Sequence, residues 1–244
     1  MNLEIIHDDE DIVVVNKPVG MIVYPALDFE GESLTETLKD MGIKISTSGD
    51  EERQGVISRL DVTTSGIMVL AKNEDSFQSL KTQFSEHTVT KTYYAIVDGK
   101  PKLPQAYIES PIKRISGHKY IKFEINKEGR EAKTLYTELC SSNVLLDTKT
   151  GPENKIISLL EVQPKTGRTH QIRVHLSAIG HPIIGDRIYG ANSRISEKLS
   201  VERPLLHSHK LSFVHPGLNE TVEYTLDEFP DDLNYVIEQT DLQF

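Results

Sequence analysis

The chain has 244 residues, 37% hydrophobic and 26% charged, without low-complexity tracts or an internal repeat, which is long enough to bury a sizeable core as one large domain or two unequal ones. One cysteine, Cys140, excludes an internal disulfide and a thiolate metal cluster, and the acidic start, with no apolar run longer than Ile12 to Val15, argues against a signal peptide or membrane span. A cytoplasmic protein with no membrane partner is expected. Net charge is −10, which speaks against a polyanionic partner until its distribution is considered. Residues 219–244 hold eight acids and no Lys or Arg, so the other 29 acids face 27 bases in residues 1–218. Between Lys165 and Arg194 the balance inverts: Lys165, Arg168, Arg173, Arg187 and Arg194 meet one acid, Asp186, and a cationic surface is expected there.

In chain order, Leu3 to Ile6 and Ile12 to Val15 read as short strands around an acidic turn. Asn16-Lys17-Pro18-Val19-Gly20 breaks the second strand and presents Lys17 at a rigid exit. Ser33 to Met41 has the capping-box spacing of a short helix, Ser33 with Glu36, and Thr47 to Gln54 is polar loop. Ser58-Arg59-Leu60-Asp61 follows. An extended Arg59-x-Asp61 sends a guanidinium and a carboxylate from one face, a hydroxyl-rich Thr63-Thr64-Ser65-Gly66 turn comes next, and Ile67 to Leu70 returns to a core. By itself such a pair also fits a structural ion pair.

Asn73 can cap a helix through Ser85, with Phe77, Leu80 and Phe84 on its buried face. Lys91 to Val97 is β-prone, and alternation puts Tyr93 on the face of Lys91. Pro101 to Ser110, Lys119 to Ile125 and Ala132 to Cys140 read as strands, Ser141 to Asn154 as a polar excursion, and Ile156 to Val162 as a buried strand ending in a turn at Gln163 to Gly167. Thr169 to Ile179 reads as a helix burying Ile172, Leu176 and Ile179, with Arg168, Gln171 and His175 on a separate polar stripe and its N-terminus suited to an anion. His170 and His175 lie five apart without an intervening carboxylate, and alternation explains His207 and His209 as polar strand positions, so no metal site is expected. Many strands with few helices predict an α+β fold on a mostly antiparallel or mixed sheet, without a dinucleotide or phosphate glycine loop.

Six segments occur in the order found in RNA pseudouridine synthases of the ribosomal large-subunit, Rlu-type family, which residues 3–226 resemble. They are Asn16 to Gly20, Arg59 to Asp61 with Thr64-Ser65-Gly66 and Ala71-Lys72, Lys91-Thr92-Tyr93, Thr166 to His175, His181 to Asp186, and Leu206 to His209. The resemblance implies that family's catalytic fold, a mixed sheet flanked by helices and loops around a central active-site cleft, as a single domain over residues 1–244 with an acidic end at 219–244 and no separate N-terminal RNA-binding domain. It implies isomerisation of a uridine in structured RNA, large-subunit ribosomal RNA or transfer RNA, to pseudouridine, by a monomer needing neither cofactor, metal nor protein partner.

The same resemblance places the essential aspartate at Asp61, an arginine that favours its ionised form at Arg168, and the active-site tyrosine at Tyr93. It makes Arg59 the residue that supports the RNA when the base leaves its stack. Lys17, Lys72, Thr64, Arg173 and Arg187 are the further expected RNA or substrate contacts. One departure is Ser58, where the family usually has histidine. Two other readings are an RNA-binding assembly factor without catalysis and a glycosidic hydrolase. Retention of Asp61, Tyr93 and Arg168 argues against the first, and the lack of a second acid in the matched motifs against the second.

Overall fold

The computed structural model describes residues 3–26, 31–50, 53–117, 121–149 and 151–242. The chain divides into two compact units: residues 1–91 with 208–227, and residues 92–207 with 228–244.

The first unit is built on β1 (Glu4–Asp8), β2 (Ile12–Lys17) and β3 (Ser65–Ala71), joined by β10 (Leu206–Val214) and β11 (Thr221–Thr225). Strand β2 lies antiparallel between β1 and β3, with Val14 opposite Val69 and Lys17 opposite Gly66. Flanked on both sides and covered on both faces, β2 and β3 are continuous apolar runs in place of an alternating pattern. The sheet continues from β3 to β10, which pairs antiparallel with β11. Helix α2 (Glu74–Ser85) contributes Phe77 and Leu80 to a core with Ile12, Val14, Ile67, Val69, Leu211 and Phe213. Its start is fixed by Asn73, whose side chain accepts the Ser76 amide at 2.9 Å. Helix α1 (Leu34–Asp40) starts at Ser33, which accepts the Glu36 amide and donates to the Glu36 carboxylate at 2.6 Å.

The second unit carries β4 (Thr90–Asp98), β5 (Gln105–Glu109), β8 (Lys133–Thr148) and β9 (Gly151–Pro164) in the order β4-β9-β8-β5, all antiparallel. Of Ser141 to Asn154, expected as a polar excursion, residues 141–148 and 151–154 instead extend β8 and β9 into one long hairpin. The pairing explains it: the buried Val144 and Leu146 share one face and the exposed Leu145 lies on the other, a period of two that polar neighbours disguise. A separate hairpin pairs β6 (Ile112–Ile115) with β7 (Lys122–Ile125), while Lys119 and Tyr120, expected in the same strand as Ile125, lie outside the described residues.

Helix α3 (Gln171–Ala178) buries Ile172 and Leu176 as expected, but Ile179 just past it is 38% exposed. Helices α4 (Ser193–Lys198) and α5 (Asp231–Thr240) complete the unit. The acidic end is therefore ordered: Leu233, Val236 and Leu242 enter the core with Leu159, Leu160 and Leu205. Asp232 receives two guanidinium bonds from Arg203, at 2.6 and 2.7 Å. No helix among the described residues is long and apolar enough to cross a membrane.

Candidate active site

Asp61 stands in the first unit, half-buried, in the turn that enters β3. Two backbone bonds define the turn: the Thr64 amide donates to the Asp61 carbonyl at 3.0 Å, and the Gly20 amide donates to the Val62 carbonyl at 2.8 Å. The second bond ties the turn to the Asn16–Gly20 segment. That segment is in turn held by Lys17, which is fully buried, its ammonium donating to the Pro18 carbonyl at 2.8 Å and the Met21 carbonyl at 2.9 Å. The expectation that Lys17 meets RNA is corrected here, because the charge is directed into backbone carbonyls of its own loop. Its location instead makes it a brace under the Asp61 turn.

Gly66 opens β3 at φ +115°, where an added Cβ would lie 2.1 Å from the Ser208 carbonyl oxygen. The Thr-Thr-Ser-Gly turn thus ends in glycine because β10 passes against it. Thr64, expected to touch substrate, is 1% exposed and is part of this packing. Lys72 is also accounted for within the protein: it donates to the Asp8 carboxylate at 2.6 Å and to the Asp9 carbonyl. Arg59 is exposed and donates to the Tyr24 hydroxyl at 3.1 Å.

In the second unit, Tyr93 lies near the start of β4 opposite Val162 and packs half-buried against the main core. Arg168 is held by Gln171, whose side-chain oxygen accepts the Arg168 amide at 3.0 Å and the Thr166 hydroxyl at 2.7 Å. The Gln171 amide nitrogen donates to the Lys133 carbonyl and the Thr134 hydroxyl, both at 3.0 Å. The Arg168 guanidinium itself donates to the Glu131 carbonyl at 3.0 Å. Partial burial and the neighbouring Arg130 charge lower its pKa from the usual arginine value.

The polar stripe of α3 points inward. His175, fully buried, shares hydrogen bonds with the Thr134 hydroxyl at 2.9 Å and the Ser110 carbonyl at 3.0 Å, and burial pushes its pKa down. Helical spacing could not show this, because an inward stripe is polar when a strand offers it hydroxyls and carbonyls. Arg173 likewise departs from its expected RNA role: it is 4% exposed and bonded twice to the buried Asp186. Arg187 alone of this pair of expected contacts is exposed.

Among the described residues, His7, Asp9 and His215 group three ligand atoms within 4.8 Å of one another. The second ring nitrogen of His215 accepts the amides of Gly217 and Leu218, both at 3.2 Å. That Nδ1 lone pair leaves the proton on Nε2, which then donates to Asp9 at 2.9 Å and cannot ligate a cation. The geometry is a hydrogen-bonded clasp.

Residues 11–178 match the RNA pseudouridylate synthase family. An uncharacterized RNA pseudouridine synthase of Mycobacterium bovis is 39% identical over 235 residues, covering 96% of this chain and 72% of its own length. The chain belongs to the RNA pseudouridine synthase family. A ribosomal large subunit pseudouridine synthase D of Zymomonas mobilis is 36% identical over 236 residues, 95% of this chain and 70% of that protein. Of solved structures, human RNA pseudouridylate synthase domain containing 1 superposes with a TM-score of 0.69 at 28% identity, over 95% of this chain and 86% of the human one. The α+β fold expected from the sequence is thus that of a pseudouridine synthase, and the chain is an RNA-modifying isomerase.

Proposed function

We propose that this pseudouridine synthase acts on a uridine of structured RNA, in large-subunit ribosomal RNA or transfer RNA, with Asp61 as its catalytic carboxylate. The observation that carries the proposal is the braced turn: a half-buried aspartate held by Thr64 and, through Val62 and Gly20, by the buried Lys17 segment. A group that must meet one ribose carbon needs this fixed placement. The synthase D name of a relative 36% identical favours ribosomal RNA as the first substrate to test.

The reaction breaks the bond from ribose to the ring nitrogen, turns the uracil in place, and joins a ring carbon to the same ribose carbon. That ring carbon loses a proton and the ring nitrogen gains one, so atoms balance without oxidant or second substrate. Asp61 acts on the ribose, as nucleophile or as base. Tyr93 supplies a ring for stacking on the base and a hydroxyl for proton transfer, and Arg168 supplies a cation to the reaction. Arg59 supports the RNA after the base is extruded. The protein is proposed to work in the cytoplasm as a monomer without a cofactor.

Mapping pseudouridine at nucleotide resolution in total RNA, with and without the gene, tests the reading. Loss of one or a few sites in structured ribosomal or transfer RNA is expected, and an unchanged map contradicts it.

A further inference from the structure

Beside the Asp61 turn, Arg59 is joined by two side chains, Tyr24 and Arg53, that the reaction does not account for. Tyr24 is half-buried, with the Arg53 guanidinium 5.0 Å from its ring centroid and Arg59 donating to its hydroxyl. The backbone leading into the ring is anchored: the Leu34 amide donates to the Ile22 carbonyl at 2.8 Å and the Thr35 amide to the Val23 carbonyl at 3.2 Å. Its loop also contains Met21, which accepts the Lys17 ammonium, so ring and Asp61 turn share one support.

An aromatic plane with guanidinium groups at its face and its edge is the grouping that takes unpaired nucleotides, the ring stacking on a base and the cations meeting phosphate. In the sequence Asp50, Glu51 and Glu52 precede Arg53, so this stretch of chain carries no excess of positive charge to attract any polyanion. The ring, more than charge, must select the ligand, which requires an exposed base.

We propose that Tyr24, with Arg53 and Arg59, is a stacking platform for an unpaired nucleotide of the RNA other than the one being isomerised. This rests on the reading of the chain as an RNA pseudouridine synthase acting through Asp61. The platform favours loops and bulges over continuous duplex, and the anchored backbone before the ring lowers the ordering cost of binding.

The chain contains no tryptophan, so Tyr24→Trp introduces a single fluorescent reporter. Stacking of a base on it quenches its emission. Decauridylate is expected to quench the signal over the concentration range in which a fluorescein-labelled decauridylate binds by anisotropy, while heparin, a polyanion without bases, leaves it unchanged. Tyr24→Leu is expected to weaken decauridylate about ten-fold, within the range for loss of one stacked base, and to leave a blunt twelve-base-pair RNA duplex unaffected. Decauridylate that binds without quenching, or that fails to bind, overturns the platform, as does equal weakening of strand and duplex in a Tyr24→Leu protein that melts like the parent. Failure of the wild-type chain to form pseudouridine in total RNA would instead sink the reading beneath it, which the quenching experiment does not measure.

Discussion

Arg173 and Asp186 form a bidentate pair inside the second unit, Nε to Oδ2 at 2.7 Å and Nη2 to Oδ1 at 2.9 Å, with side chains 4% and 1% exposed. Asp186 also accepts the amides of Ile188 and Tyr189, and the Arg173 guanidinium lies 5.0 Å from the Tyr189 ring centroid. Removing the arginine leaves a buried carboxylate uncompensated, so Arg173→Ala is expected to cost about 3–5 kcal/mol of stability. Urea denaturation checks this. A variant as stable as the parent that has merely lost RNA affinity would return Arg173 to the surface role expected from its charge.

Gly66 makes the second prediction. At φ +115° a side chain alone costs about 1–3 kcal/mol, and the Ser208 carbonyl 2.1 Å from the added Cβ forces backbone to move as well. Gly66→Ala should therefore be poorly soluble or strongly lowered in melting temperature. A soluble variant melting within a degree or so of the parent would show that β3 and β10 do not approach as closely as described.

Acid should destabilise the fold through histidine. Burial lowers the pKa of both His175 and His209, the latter also under the Lys210 charge. As pH falls through about 6.5, the unfolded chain takes up protons that these folded rings refuse, so stability drops with acidification, by at most about 1.4 kcal/mol per pH unit for each ring, until their lowered values are reached. His175→Gln removes one of the two protons and should make the melting temperature less steeply dependent on pH below about 6.5, the ordinary histidine value. An unchanged slope would mean that His175 does not titrate differently on folding.

Because the His215 ring nitrogen nearest Asp9 carries the proton, the His7, Asp9, His215 clasp should ignore metal. Neither EDTA nor micromolar zinc is expected to move the melting temperature, as differential scanning fluorimetry can show. A zinc-dependent rise abolished by His215→Ala would establish a site there.

Much of the fold was legible because its signals are local. The caps at Ser33 and Asn73, the proline exit after Lys17 and the apolar run of β3 each depend on neighbours in sequence. The long β8–β9 hairpin was not, since its outer half buries only one face and reads as polar. Helix α5 was hidden by its acids, although Leu233, Val236, Ile237 and Thr240 carry the helical period. Among the proposed site residues, Asp61 is singled out by an ordered set of motifs. Lys17 and Arg173 were misplaced on the surface because counting charge along a chain gives no direction to a side chain. Asp186, the one acid in the basic segment, was the available clue: a lone carboxylate among arginines is the natural partner of one of them.

The central claim concerns Asp61, and Asp61→Asn tests it most directly because it removes the charge while keeping the shape. Total RNA from cells lacking the gene is incubated with purified wild-type or variant protein, and new pseudouridine is mapped and counted. Wild type is predicted to restore the missing sites, and the folded variant to restore none while binding the same RNA within a few-fold. Restoration by Asp61→Asn at a rate near that of the wild type would contradict the assignment.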